Sequence, residues 1–136
     1  MKVSFDFDGT LGHFESIQKY AKFLIDAGIE VHITTRRFEK PEDYSEAFCN
    51  YYGIKDLSKQ HKYLFELAEK IGIPLKNIHF TNMKDKSLSL KDNNFIWHLD
   101  DDPEDIKDIN QNSDVIGISC MGSSWLRKCN RLLKNS

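Results

Sequence analysis

KVSFDFDGTLG, residues 2 to 12, carries four strand-like residues into Asp6 and Asp8 and then reaches a glycine. Period-two alternation sets Asp6 and Asp8 on one side if the strand continues, and Gly9 lets the backbone turn sharply after them. The same pattern of an apolar, β-branched run ending in polar residues recurs four more times. EVHIT ends near Thr34, NIHFT near Thr81, FIWHL at Asp100 and DVIGIS near Ser119. Short continuous apolar runs bounded by turn residues suit strands covered on both faces.

Helical patterns fill the gaps. FESIQKYAKFLIDAG places Phe14, Ile17, Ala21, Leu24 and Ile25 on one face and stops at Gly28, just past the helix end. PEDYSEAFCNYY starts with Pro41 and acids in its first turn and breaks at Gly53. A stripe of Leu57, Leu64, Leu67, Ala68 and Ile71 predicts a helix from about Ser58 to Ile71, with Ser58 as its N-cap. GSSWLRKCNRLLKN leads to a last helix with Trp125, Leu126, Cys129, Leu132 and Leu133 inward. Strands alternating with helices imply an α/β three-layer sandwich around a five-stranded parallel sheet with right-handed crossovers. Residues 1 to 136 read as a single domain, with no repeat, low-complexity tract or linker.

Composition narrows the class. The chain is 40% hydrophobic and 29% charged, too apolar for a disordered protein. A net charge of −2 supplies no global basic field, so there is no strong nucleic-acid-binding signal. Cys49, Cys120 and Cys129 are odd in number and lack CxxC or Cys/His spacing, which predicts free thiols and no zinc site. MKVSFDFDGT puts acids where a signal peptide needs its apolar core, and no apolar run reaches spanning length, so a cytoplasmic protein away from the membrane is expected.

In open parallel sheets, ligands bind outside the carboxyl ends of the strands. There the first strand offers Asp6, Asp8 and Gly9, the second Thr34, Thr35 and Arg36, and the fourth Asp100, Asp101 and Asp102. If the first and fourth strands are neighbours, four or five carboxylates converge. Two carboxylates about 4 Å apart at an effective dielectric of ~20 repel by about 4 kcal/mol, so a cation is needed. An all-oxygen acidic site with open positions suits Mg²⁺ better than zinc. The hydroxyls, amides and guanidinium of Thr34, Thr35 and Arg36 suit an anionic oxygen. Asp102 stands apart: Pro103 fits the first helical position and Glu104 and Asp105 favour the positive helix end, so Asp102 reads as an N-cap.

The ordered set DFDGT, a strand-terminal Thr in HITTR, a lysine and a strand-terminal DD resembles the haloacid dehalogenase-like superfamily, in its Mg²⁺-dependent phosphatase branch. The resemblance spans residues 6 to 101. It implies that Asp6 is the nucleophile that becomes an aspartyl phosphate, and that Asp8 protonates the leaving oxygen and then activates water. The second acid favours phosphoryl transfer over dehalogenation. By the same resemblance, Thr34 holds a phosphoryl oxygen with the Thr35 amide nearby; Gly9 and Arg36 are further candidate substrate contacts from their places at the strand ends. The metal would meet Asp6, the Asp8 carbonyl, Asp100 and Asp101. Lys86 matches the family's lysine better than Lys84, and its ammonium would shield the Asp6 and phosphate charges from each other.

No interval here is long enough for the cap domain many such proteins carry. An open site suits an exposed macromolecular phosphate, or a small phosphorylated molecule enclosed by a homo-oligomeric neighbour. Residues 38 to 55 could form a partial lid, with Phe48, Tyr51 and Tyr52 available for packing or base stacking. The implied activity is Mg²⁺-dependent phosphomonoester hydrolysis of nucleotides, nucleic-acid phosphate ends or sugar phosphates. A phosphate-binding regulatory module with little turnover is the competing class. A receiver-like switch needs its phosphoacceptor after the third strand, where this chain has Thr81 and Asn82.

Overall fold

A computed structural model describes all 136 residues. Five strands, β1 (Lys2–Phe5), β2 (Glu30–Thr35), β3 (Ile78–Phe80), β4 (Phe95–Asp100) and β5 (Ile116–Ser119), form one sheet in the order β3-β2-β1-β4-β5. Every neighbouring pair is parallel. The helices are α1 (Glu15–Asp26), α2 (Glu46–Tyr52), α3 (Lys62–Ile71), α4 (Ser87–Leu90), α5 (Pro103–Asn112) and α6 (Trp125–Lys134). The protein is therefore an α/β three-layer sandwich. No helix is long and apolar enough to cross a membrane.

The central strands are buried almost throughout, with apolar residues on one face and the polar Ser4, His32, Thr34 and His98 buried on the other. Val3, Phe5, Val31, Ile33, Trp97 and Leu99 join Ile17, Ala21 and Leu24 of α1, Leu64 and Ala68 of α3 and Cys129 of α6 in the main core. Phe5 meets Trp97 edge-on at 5.3 Å between ring centroids. Each such side chain contributes roughly 1.5–3 kcal/mol by leaving water. A smaller cluster of Leu90, Phe95, Ile109 and Val115 packs α4 and α5 on the sheet. The register slips between Lys2↔Phe95 and Ser4↔His98. This bulge turns Phe95 away from the main core that its alternation partners Trp97 and Leu99 share.

Several local expectations are corrected. Ser58 does not cap α3: Leu57–Lys59 form a separate single turn, Asp56 accepts from the Ser58 N–H, and α3 begins at Lys62. The helix expected from Pro41 divides likewise, because Pro41–Asp43 make one 3₁₀ turn and Tyr44 is extended. Ser45 then caps α2 by accepting from the Phe48 N–H at 3.0 Å. Leu126 is exposed on α6, while Trp125, Leu132 and Leu133 pack on the core. All three cysteines are free.

Candidate functional site

The strand order puts β1 beside β4, so the carboxyl ends that carry Asp6 and Asp100 are neighbours. Asp6 is only 5% exposed. Beyond it the chain makes a wide turn over Phe7–Leu11, closed by Leu11 N–H to Asp6 O at 3.1 Å and Gly12 N–H to Phe7 O at 2.8 Å. Within that turn the Thr10 hydroxyl reaches Asp6 Oδ2 at 3.0 Å and Asp101 Oδ1 at 3.1 Å. Gly9, at φ +78°, lies against the Asp101 carboxylate so closely that a Cβ would collide with it. Glycine is needed here both for its backbone angle and for the approach of Asp101.

Lys86 enters from the residue before α4 and is 1% exposed. Its Nζ donates to Asp6 Oδ1 at 2.8 Å and Asp100 Oδ2 at 2.7 Å, with Asp105 Oδ2 at 3.4 Å. Lys84 is exposed on the loop before it. Burial pushes the Asp6 carboxyl well above its ordinary pKa, and the nearby Asp100 charge adds to this against the pull of Lys86. Burial also opposes ionisation of Asp100, but the His98 hydrogen bond and Lys86 outweigh it and hold that group well below the usual carboxylate range. The Lys86 ammonium is desolvated too, yet Asp6, Asp100 and Asp105 together raise its pKa.

Oxygen atoms of Asp6, Asp100 and Asp101 come within 4.8 Å of one another. The surrounding cleft holds about 180 Å³ and is lined by six aspartates against two cations, Lys86 and Arg36. A set of hard oxygen donors in formal negative excess fits a hard metal cation, which would be held by those three carboxylates. Asp102 is the N-cap of α5, accepting from the Glu104 N–H at 2.9 Å, and its own N–H donates to Asp100 Oδ1 at 3.1 Å. It thus both starts a helix and orients a neighbour.

Thr34 and Asp8 depart from their expected places. β2 runs one residue beyond Thr34; Thr35 is among the residues that line the cleft, and the fully buried Thr34 is not. The Thr34 hydroxyl pairs with Ser4 Oγ at 2.8 Å. It ends a buried chain in which Ser4 Oγ meets His98 Nδ1 at 2.9 Å and His98 Nε2 meets Asp100 Oδ2 at 2.8 Å. Burial lowers the His98 pKa, so the neutral ring donates from Nε2 to Asp100 and accepts from Ser4. Asp8 leaves the strand path because β1 ends at Phe5, and its side chain is 60% exposed. Arg37 grips both its oxygens, Nη2 to Oδ1 at 2.7 Å and Nε to Oδ2 at 2.9 Å. Asp8 lines the cleft but lies outside the three-carboxylate cluster.

Arg36 also lines the cleft, held by Asp105 through Nε at 2.7 Å and by the Met83 carbonyl at 3.1 Å. Asp105, Thr10 and Arg37 are contributors that sequence reasoning missed. Asp105 read as an ordinary first-turn acid, and only its burial at 2% exposure separates it from one. Thr10, next to Gly9 in DGT, was the more legible of the three. No protein-family model matches the chain, and no curated protein matches it in sequence.

Proposed function

We propose that this protein is a Mg²⁺-dependent phosphomonoester hydrolase working through an aspartyl phosphate on Asp6, in the manner of the haloacid dehalogenase-like phosphatases that its motifs resemble. The observation that carries the reading is the buried Asp6–Lys86–Asp100 triad beside Asp101. Such a nucleophile has one oxygen fixed by Lys86 and the other by Thr10, so it meets phosphorus in a defined orientation. Lys86 keeps the incoming phosphoryl charge from being repelled by Asp6. A bound Mg²⁺ would supply further charge neutralisation for carboxylate and phosphoryl oxygens. Asp8 sits at the cleft edge, where a leaving oxygen could take its proton. Thr35, which lines the cleft where Thr34 does not, is the candidate to hold a phosphoryl oxygen through its amide or hydroxyl.

One observation favours the competing reading, a phosphate-binding module with little turnover: Arg37 occupies both Asp8 oxygens. Acid catalysis requires that pair to part when substrate binds. A phosphomonoester panel assayed with Mg²⁺ separates the two. Hydrolysis that is lost with chelator and with Asp6→Asn is the expected result. Full activity in Asp6→Asn would sink the assigned nucleophile, and metal-dependent phosphate binding without turnover would favour the module.

A further inference from the structure

Next to the acidic cleft, and sharing Asp8 and Arg36 with it, lies a second cavity of about 410 Å³ whose character is opposite. Five of its nine lining residues are hydrophobic, and its walls include Tyr44, Phe48 and Tyr52. These rings form a ladder, Tyr44 to Phe48 at 5.2 Å and Phe48 to Tyr52 at 4.6 Å between centroids. Ser45 capping and the i, i+4 spacing of Phe48 and Tyr52 on α2 set two of the rungs. The Tyr44 residue is 6% exposed, and its hydroxyl has no hydrogen-bond partner within the protein. Gln60 adds an amide that can both donate and accept.

Aromatic faces that flank a cavity favour a planar ring over a polyhydroxylated chain, whose hydroxyls need a dense set of polar partners. The size suits a ligand of nucleoside dimensions. Electrostatics choose between a free nucleotide and a nucleic-acid end. Six aspartates around the cleft tolerate one phosphoryl group beside Lys86 and Arg36, but they repel the further phosphates of a polynucleotide.

We propose that the aromatic cavity binds the base and sugar of a nucleoside monophosphate whose phosphate lies in the acidic cleft. This rests on the phosphomonoesterase reading and names its substrate class. Residues 38 to 55 are then a specificity element, since they supply all three rings.

The test is equilibrium binding by calorimetry with Mg²⁺, using Asp6→Asn protein so that turnover plays no part. The probes are AMP, dTMP, glucose phosphate and a terminally phosphorylated oligonucleotide. The two nucleotides bind at least about tenfold tighter than glucose phosphate and than the oligonucleotide. Phe48→Ala, and independently the more exposed Tyr52→Ala, weaken nucleotide binding by roughly 5- to 150-fold, the range that base–aromatic stacking spans. Equal affinity for glucose phosphate, preference for the oligonucleotide, or nucleotide affinity unmoved in both variants overturns the proposal. Selective nucleotide binding in a protein that hydrolyses no phosphomonoester leaves the cavity assignment standing and removes the hydrolase reading instead.

Discussion

Replacing Lys86 with Met keeps a long buried side chain and deletes only its charge. The ammonium lies 2.8 Å from Asp6, 2.7 Å from Asp100 and 3.4 Å from Asp105. At an effective dielectric of ~20, each of the two shorter contacts is attractive by roughly 6 kcal/mol, before the cost of dehydrating the ions. The net loss on removing one partner of a buried pair is about 3–5 kcal/mol, because the remaining charges stay buried without compensation. Against a typical stability of about 5–15 kcal/mol, that is a large fraction. A divalent cation seated on Asp6, Asp100 and Asp101 replaces much of the missing positive charge, and at a hundredfold excess over its Kd it adds about 2.7 kcal/mol even to an intact site. Urea unfolding followed by circular dichroism, in chelator and in saturating Mg²⁺, therefore shows a loss of about 3–5 kcal/mol for Lys86→Met in chelator. It also shows a larger Mg²⁺ stabilisation for the variant than for the wild type. A chelator loss below about 1 kcal/mol, or an identical Mg²⁺ response in the two proteins, would refute the reasoning.

Asp100→Ala removes a carboxylate of the cation cluster and abolishes metal-dependent activity. Asp102→Ala removes a helix cap and costs about 0.5–2 kcal/mol of stability by thermal melt; equal activity losses in two folded variants contradict that division. Gly9→Ala puts a Cβ at φ +78° into the Asp101 carboxylate, so about 1–2 kcal/mol of strain comes with weaker Mg²⁺ binding, which isothermal titration reads directly. Unchanged Mg²⁺ affinity in that variant would remove Asp101 from the site. Stability also depends on pH through His32 and His79, whose rings stack at 5.1 Å and share a hydrogen bond. Burial lowers both pKa values; Glu30 bonds His32 and opposes the shift, while Lys2 adds to it for both rings and Lys76 for His32. The neutral rings thus contribute stability that is complete above about pH 6.5 and is lost as pH falls through the depressed folded values. Melting temperature falls on acidification from that point, and His79→Gln flattens the slope; a slope unaltered by the substitution counts against the assignment.

The architecture was legible because short strand-like segments such as KVSF and FIWHL, each ending in aspartate, alternate along the chain with helical stripes. Lys86 could be singled out from its neighbours because it is the lysine immediately ahead of a short helix. The Asp102 cap followed from Pro103 and the acids behind it. Which strand-end hydroxyl is already occupied was the part that sequence could not supply. Thr34 is taken by Ser4 on the neighbouring strand, a pairing set by the register of β1 against β2 and not written in local composition. Asp8 was misplaced because β1 stops one residue before Asp6, leaving no pleat to carry Asp8 to the same side. Arg37 and Asp105 act across 29 and 69 residues of separation, to Asp8 and from Arg36, and such tertiary ion pairs have no sequence signature.

The central claim is that Asp6 accepts a phosphoryl group in the acidic cleft. The most direct measurement is intact-protein mass spectrometry after acid quench of a rapid mix with a phosphomonoester and Mg²⁺. The account predicts one added phosphoryl group, located on Asp6 by peptide mapping and lost in Asp6→Asn, in chelator and on treatment with hydroxylamine. Steady hydrolysis with no added mass at any mixing time, or a phosphoryl group on a residue other than Asp6, would contradict it.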